Sequence, residues 1–386
     1  MHTIDLTDEA IKRIGAAGSN EHGIVKPDYA GLNLSNMKPT ILEILGIGSL
    51  ESKPLHELEP FKGSLGEVFV PKPRRLIILL VDSLNLSLLS SIIASFEKEE
   101  SQGKVLKGLV TSTFPSVTPT ALMTLYTGLP PLAHGVLGFE FYLEEAGRII
   151  NPFKLSSERA LLRDVFGSSA TLFEEAAKHG VDLRAFMPRE YAYAPATRRM
   201  LGKVKVIGYG SLDDVSSLIL GTRNIELYYI YYSRLDEILH EEGPGSHKIE
   251  VVIHEVKTLI HALLKEGFGV LLLSDHSFVK VDGRVGIKAG KAKTASNGGR
   301  VIYIYDGDST FEVDGERGFK SFTRDQLIRD GWLGRGEYHE RIGETTLVAR
   351  GGNFLTCEGK DSGDKTTHGG FLAEEMAAPL ALFSPF

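Results

Sequence analysis

Leu76-Ile77-Ile78-Leu79-Leu80-Val81-Asp82 is the stretch of this chain that decides its fold. Six consecutive apolar residues are typical of a strand buried on both faces, as in a parallel sheet. A second, largely apolar run, 269–274, leads into Asp275 and His276 in the same way. Because open α/β sheets carry their functional sites at the carboxyl ends of the strands, we expect Asp82, Asp275 and His276 to meet at one edge of one sheet.

Strand and helix patterns alternate along most of the chain. Repeated βα units of this kind predict an α/β fold with a mostly parallel central sheet flanked by helices. The predicted strands are 76–81, 109–110, 182–187, 225–232, 269–274 and a final strand 377–383, and the predicted helices are 86–99, 119–126, 172–178, 211–220 and 247–266.

Two regions fall outside this alternation. Residues 1–70, with a predicted helix at 39–45, are interpreted as an N-terminal extension packed on a core formed by 71–279 and 366–386. Residues 280–365 are rich in glycine and charge, with short predicted strands at 301–305 and 345–349, and we expect them to form a cap beside the site. Arg300, Lys320 and Lys365 are candidate phosphate contacts in this cap, although solvated loop charges would also explain each of them.

Three further residues complete a set of three Asp and three His. Asp236 and His240 are four residues apart, which places both side chains on one face of a helix, and His368 precedes two glycines that let the backbone approach a bound ion. An isolated Asp-His pair is usually a strand-end or helix-surface detail, but the combination favours two metal ions. Mixed carboxylate and imidazole ligands suit zinc first, with manganese or magnesium as alternatives.

Thr118 is the candidate nucleophile. Its place before Pro119 predicts that Thr118 is extended and caps a helix starting at Pro119, where free N–H groups and the helix dipole favour an alkoxide and an incoming phosphate. Metal coordination would lower the pKa of the hydroxyl and make it a usable nucleophile. A purely capping role is the competing interpretation, and Ser116 and Thr120 remain alternative nucleophiles.

These motifs together resemble the alkaline phosphatase superfamily and, within it, the type I phosphodiesterase/nucleotide pyrophosphatase family. The resemblance runs from about Arg75 to the C-terminus, and the motifs follow the family order. They are Val81-Asp82-Ser83, the Thr118 segment, Asp236-Glu237-Ile238-Leu239-His240, Ser274-Asp275-His276 and Thr367-His368-Gly369.

The resemblance implies a role for each matched residue. One metal would be held by Asp236, His240 and His368, and the other by Asp82, Asp275, His276 and the Thr118 oxygen. The family nucleophile lies nine residues before the Thr of a Thr-Gly pair, and counting back from Thr127 gives Thr118 rather than Thr113. The family also has an Asn that binds a phosphate oxygen shortly after its His-Gly pair, whereas this chain has Phe139, which cannot donate that hydrogen bond.

The implied activity is hydrolysis of a small phosphodiester, with two metals and a phosphorylated threonine intermediate. Phosphomonoester or phosphonate hydrolysis remains open, as does an isomerase of the metal-dependent phosphoglycerate mutase type. A zinc-stabilised scaffold without activity is the non-enzyme alternative. Sulfatase chemistry is set aside because the single cysteine, Cys357, lies far from the nucleophile segment.

Composition is consistent with an enzyme of small substrates. The 386 residues are 42% hydrophobic, enough for a sizeable core, and the formal charge of −7 gives no general affinity for nucleic acid polymers. The cluster Lys72, Arg74 and Arg75 is interpreted as a solvated strand entry. One cysteine excludes an intramolecular disulfide, and the first residues lack a signal-peptide pattern, so we expect a cytoplasmic protein without membrane spans; the oligomeric state is left open.

Overall fold

The computed structural model describes residues 1–18, 23–48, 53–68, 75–97, 103–155, 159–222, 225–305, 312–313, 318–357 and 361–385. The strands are β1 (His2–Asp5), β2 (Leu76–Val81), β3 (Lys104–Thr111), β4 (Phe141–Leu143), β5 (Arg148–Ile150), β6 (Leu183–Pro188), β7 (Lys205–Tyr209), β8 (Leu227–Tyr232), β9 (Gly269–Leu273), β10 (Val279–Lys280), β11 (Gly283–Lys288), β12 (Lys293–Asn297), β13 (Val301–Tyr305), β14 (Glu312–Val313), β15 (Phe319–Thr323), β16 (Thr345–Ala349), β17 (Asn353–Cys357), β18 (Thr366–Thr367) and β19 (Ala377–Phe383).

The α-helices are α1 (Thr7–Gly18), α2 (Met37–Ile44), α3 (Ser64–Val68), α4 (Leu86–Glu97), α5 (Thr118–Thr127), α6 (Pro131–His134), α7 (Arg159–Phe166), α8 (Leu172–Lys178), α9 (Arg189–Ala192), α10 (Pro195–Leu201), α11 (Leu212–Leu220), α12 (Arg234–Glu242), α13 (Lys248–Lys265), α14 (Arg324–Arg329) and α15 (Ala373–Met376). Short 3₁₀ turns lie at Leu34–Asn36, Leu55–Glu57, Glu144–Ala146, Pro152–Lys154 and His339–Arg341. Among these helices, none is long and apolar enough to cross a bilayer.

A central sheet of eight strands, in the order β1-β3-β19-β9-β2-β8-β6-β7, organises the molecule. Its pairs are parallel except for those of β19, which is antiparallel to β3 and to β9. The predicted α/β fold with a mostly parallel sheet is therefore confirmed. Strand β1, which joins the sheet edge beside β3, was not predicted from the sequence.

The apolar run of β2 is continuous because both faces of the strand are covered. Ile78 and Leu80 pack into the hydrophobic cluster on one face of the sheet, whereas Ile77 and Leu79 pack into the cluster on the other. All four side chains are fully buried, and burial of each contributes about 1.5–3 kcal/mol to folding. The strand is thus held rigidly in the middle of the sheet, with Asp82 at its end.

Predicted elements agree with the structure to within two residues, apart from β3, which begins five residues before the predicted 109–110; β2, α8, β13, β16 and β19 agree at both ends. One prediction about the Thr118 segment is wrong. Thr118 is the first residue of α5, and the extended Val117 holds the N-cap position, because the Ala121 N–H donates to the Val117 carbonyl at 3.0 Å and closes the first turn one residue early. The last two residues predicted for α4, and Lys72 and Arg74, lie outside the described residues.

The segment between β10 and β18 forms its own sheets. β12, β13, β16 and β15 make a four-stranded antiparallel sheet, and β14, β11 and β17 make a three-stranded one. A hydrophobic cluster that includes Val285, Ile302 and Leu347 packs between them. The strand pair β10–β18 then returns the chain to the central sheet beside His368.

Candidate metal centre

Three neighbouring parallel strands deliver most of the predicted ligands to one edge of the central sheet. Asp82 follows β2, Asp275 and His276 follow β9, and Asp236 lies in the first turn of α12 directly after β8. Parallel strands end at the same edge, so this arrangement follows from topology. The segment after β3 adds Thr118, and the loop before β19 adds His368 at the same edge.

Asp82, Asp275 and His276 form one group of candidate ligands whose donor atoms lie within 4.8 Å of one another. The Nε2 atom of His276 is 3.5 Å from Asp82 Oδ1 and 3.3 Å from Asp275 Oδ2. At most 2% of each of these side chains is exposed. Within the described part of the chain, Asp82 Oδ1 and both carboxylate oxygens of Asp275 have no hydrogen-bond partner.

Asp236, His240 and His368 form a second group within the same 4.8 Å limit. Asp236 Oδ1 is 3.3 Å from His240 Nε2 and 3.8 Å from His368 Nε2. The two groups adjoin, because the rings of His276 and His368 stack with their centroids 3.8 Å apart. The structure therefore brings all six predicted ligand residues together, as two adjoining groups of three residues each.

The Thr118 hydroxyl faces the first group. Its Oγ1 lies 3.1 Å from His276 Nε2 and 3.4 Å from Asp82 Oδ2. The competing hydroxyls are engaged elsewhere: Ser116 Oγ contacts the backbone of Gly369 and Gly370, and Thr113 Oγ1 donates to the Pro115 carbonyl. Thr120 is fully buried, and its hydroxyl has no partner among the described residues. Geometry thus favours Thr118 over the three alternatives.

In two of the three candidate histidine ligands, His276 and His368, the second ring nitrogen is held away from the centre. Nδ1 of His276 lies 3.2 Å from the Ser277 carbonyl, and Nδ1 of His368 lies 3.0 Å from the Ser116 carbonyl. A carbonyl only accepts, so each Nδ1 carries the proton and each Nε2 presents a lone pair to the centre. Such outer contacts are typical of metal-binding histidines.

Electrostatics also fit a cation site. Burial, together with the carboxylates of Asp275 and Asp236, raises the pKa of Asp82 well above its usual value, and burial raises the pKa of Asp275 to about 7. Burial lowers the pKa of His276 to about 4 and that of His368 to about 3, so both imidazoles are neutral at physiological pH. Asp82 Oδ1 and the two Asp275 oxygens, which lack hydrogen-bond partners among the described residues, lie beside neutral imidazoles, and bound divalent cations would satisfy this set of ligand atoms.

Sequence reasoning missed three residues that contact the ligands. The Tyr231 hydroxyl donates to Asp82 Oδ2 at 2.5 Å, Ser83 Oγ donates to Asp236 Oδ1 at 2.6 Å, and Asp364 Oδ2 lies 3.7 Å from His240 Nδ1. Tyr231 leaves Asp82 Oδ1 free to face the centre. The only signal in the sequence was that Ser83 directly follows a predicted ligand.

The prediction for Arg300 is wrong. Arg300 is neither a phosphate contact nor a solvated loop charge, because its side chain is fully buried and pairs with Glu375 at 2.8 Å. The Glu375 carboxylate also accepts the N–H groups of Gly370 and Leu372, at 2.9 and 3.1 Å. This ion pair therefore anchors the loop that carries His368. Lys320 and Lys365 are both exposed, and the Lys320 ammonium lies 4.8 Å from the Phe322 ring centroid.

His134 is a buried histidine with a structural role. The Val136 N–H donates to its Nδ1 at 3.2 Å, so its Nε2 carries the proton and donates to Thr124 Oγ1 at 2.9 Å. Burial, aided by the nearby Arg341 charge, lowers the pKa of His134 to about 3.

We expect His134 to make the protein less stable in mild acid. Its pKa is about 6.5 in the unfolded chain, so below that pH the unfolded state binds a proton that the folded state refuses, down to the folded pKa of about 3. Between pH 7.5 and 5.5, urea denaturation should show wild type losing about 1.4 kcal/mol more unfolding free energy than His134→Gln. Both proteins are measured with the same metal present. Equal losses of unfolding free energy in wild type and His134→Gln would rule out His134 as the cause of the acid sensitivity.

Comparison with known proteins gives a consistent result. The family described as type I phosphodiesterase / nucleotide pyrophosphatase matches residues 76–371. Among solved structures, murine ectonucleotide pyrophosphatase / phosphodiesterase 5 has a TM-score of 0.62 at 16% identity and covers 80% of this chain and 87% of its own. An inactive form of that enzyme in complex with AMP gives 0.63 at 16% identity, with the same coverage of 80% and 87%.

A bacterial structure matches to a similar extent. Phosphonoacetate hydrolase from Sinorhizobium meliloti 1021, in complex with phosphonoacetate, has a TM-score of 0.60 at 15% identity and covers 80% of this chain and 90% of its own. No curated protein matches the chain. At these identities the structural likeness shows the fold, and the family match covers most of the chain and every residue of the candidate centre.

Proposed function

Because this chain belongs to the type I phosphodiesterase/nucleotide pyrophosphatase family of the alkaline phosphatase superfamily, whose members are phosphoric ester hydrolases, we propose that it hydrolyses a small phosphodiester with two metal ions and a phosphorylated Thr118 intermediate. The observation that carries the proposal is the position of the Thr118 hydroxyl, 3.1 Å from His276 Nε2 and 3.4 Å from Asp82 Oδ2. Both of these residues are candidate ligands of one group, and the second group adjoins it.

In this proposal the two groups hold one divalent cation each. Asp82, Asp275, His276 and the Thr118 oxygen would hold the first, and Asp236, His240 and His368 the second. Bound cations would neutralise charge on the phosphate oxygens and lower the pKa of the Thr118 hydroxyl. Three imidazoles among the donors favour zinc, with manganese and then magnesium as alternatives.

The proposed reaction consists of two displacements at phosphorus. Thr118 Oγ1 gives its proton to solvent and forms a bond to phosphorus while the bond to the leaving oxygen breaks, and that oxygen takes a proton from solvent. Water then attacks the phosphorus of phosphorylated Thr118 and gives a proton to solvent, while the bond from phosphorus to Oγ1 breaks and Oγ1 takes up a proton. Fixed position and positive charge supply most of the acceleration in reactions of this kind.

Phe139 bears on substrate choice. It stands where the resembled enzymes have a phosphate-binding Asn, which argues against a nucleotide pyrophosphatase of the usual kind and keeps phosphonate or phosphomonoester hydrolysis as a second candidate. We infer that residues 280–365 form the cap that selects the substrate. A small phosphate ester rather than a nucleic acid polymer fits the net charge of −7. A cytoplasmic location stays a prediction.

Steady-state hydrolysis tests the proposal. The chelated enzyme is given zinc, manganese or magnesium and assayed with bis-p-nitrophenyl phosphate, p-nitrophenyl phosphate and phosphonoacetate. Metal-dependent turnover with a higher kcat/KM for the diester supports the proposed activity. Preference for the monoester or the phosphonate selects the second candidate, and absence of turnover with every metal and substrate contradicts both.

A further inference from the structure

Ser83 has an unusual backbone conformation. Its φ angle is +60°, and within the described segments it is the one residue other than glycine with a positive φ. A side chain makes the left-handed conformation unfavourable, whereas glycine adopts it without penalty. Ser83 is also fully buried, directly after Asp82 at the end of β2. A side chain retained here at a cost should make a contact that offsets it.

The Ser83 hydroxyl makes two contacts. Its Oγ lies 2.6 Å from Asp236 Oδ1 and 3.4 Å from His276 Nδ1. An ionised carboxylate only accepts, so the single hydroxyl proton is donated to Asp236. In its contact with His276, the Ser83 hydroxyl oxygen can then act only as a hydrogen-bond acceptor. The Nδ1 proton of His276, already directed at the Ser277 carbonyl 3.2 Å away, is shared with it.

These contacts connect the two candidate metal groups. Asp236 belongs to one group and His276 to the other, so donors run in one direction from the His276 Nδ1–H through the Ser83 hydroxyl to the Asp236 carboxylate. The contact to His276 favours the tautomer that presents Nε2 to the centre, and the contact to Asp236 fixes the orientation of that carboxylate. The Ser83 side chain, on a left-handed backbone, thus contacts one residue of each group.

We propose that Ser83 is a positioning residue that links the two metal-binding groups, and that removal of its hydroxyl weakens cation binding. The inference rests on the proposed function, since it requires that these groups bind cations. Contacts of this outer kind typically change metal affinity by about 10–100-fold. A role in local folding alone predicts loss of stability with unchanged metal affinity.

Two substitutions separate the hydroxyl from the backbone strain. Ser83→Gly removes the hydroxyl and also relieves the unfavourable backbone conformation. Ser83→Ala removes the hydroxyl but leaves a side chain on the unfavourable backbone conformation. Zinc affinity, measured by competition with a chromophoric chelator, should fall about 10–100-fold in both variants. In the chelated state Ser83→Gly should melt at or above the wild-type temperature, and Ser83→Ala should melt below Ser83→Gly.

Ser90→Ala is the matched control, because the Ser90 hydroxyl donates to the Leu86 carbonyl in α4, at 2.7 Å, and Ser90 belongs to neither candidate metal group. It should bind zinc as wild type does. If wild type binds two zinc ions and Ser83→Gly binds them equally well, the role of Ser83 is refuted while the proposed function stands. If wild type binds no cation, the proposed function fails, and the inference about Ser83 fails with it.

Discussion

Thr118→Ala is expected to lose at least about 10³-fold in kcat, because it removes the oxygen that forms the bond to phosphorus. The variant should still bind cations, since the six Asp and His ligands are untouched. Thr118→Ser keeps a hydroxyl at nearly the same place and should retain part of the activity. The measurement is steady-state hydrolysis of bis-p-nitrophenyl phosphate, with metal content determined for each protein.

Thr120→Ala is the matched control for this loss. Thr120 lies two residues further along α5, is fully buried and has a hydroxyl without a partner among the described residues. Deleting that hydroxyl should leave kcat within a few-fold of wild type. If Thr120→Ala loses activity and Thr118→Ala does not, the assignment of the nucleophile is wrong.

Asp275→Asn is expected to abolish metal-dependent stabilisation while leaving the metal-free protein folded. Both oxygens of Asp275 are buried beside Asp82 without hydrogen-bond donors from the described residues, so a neutral side chain of the same shape removes like-charge repulsion. The chelated variant should therefore melt at or above the chelated wild type. Zinc affinity should fall by more than about 100-fold, since loss of a direct ligand exceeds the usual effect of an outer contact.

Thermal melts with and without zinc measure both effects. Zinc should raise the melting temperature of wild type and of Asp325→Asn, which alters an exposed carboxylate in α14, but not that of Asp275→Asn. An equal zinc-induced shift in all three proteins would contradict a ligand role for Asp275.

The fold could be predicted because its signals are local. The run of β2 and the run of β9 are apolar without alternation, and that pattern arises where both faces of a strand are covered. Once two such strands are parallel neighbours, Asp82 and Asp275 must come together at one edge. β1 was missed because His2–Asp5 is short and mostly polar, and its partner β3 lies a hundred residues away in sequence.

The outer contacts of the site could not be predicted in this way. Tyr231 is one of four tyrosines in β8, and only the packing of β8 against β2 shows that its hydroxyl reaches Asp82. The sequence around Ser83 does not predict the positive φ angle of this residue. Arg300 looked solvated because its partner Glu375 is 75 residues away.

The stereochemical course at phosphorus tests the central claim most directly. A phosphodiester made chiral with sulfur and an oxygen isotope is hydrolysed in isotopically labelled water, and the configuration of the product is determined. Two in-line displacements through phosphorylated Thr118 predict net retention, because each displacement inverts the configuration. Net inversion would mean that water attacks the substrate directly, and would contradict Thr118 as the nucleophile.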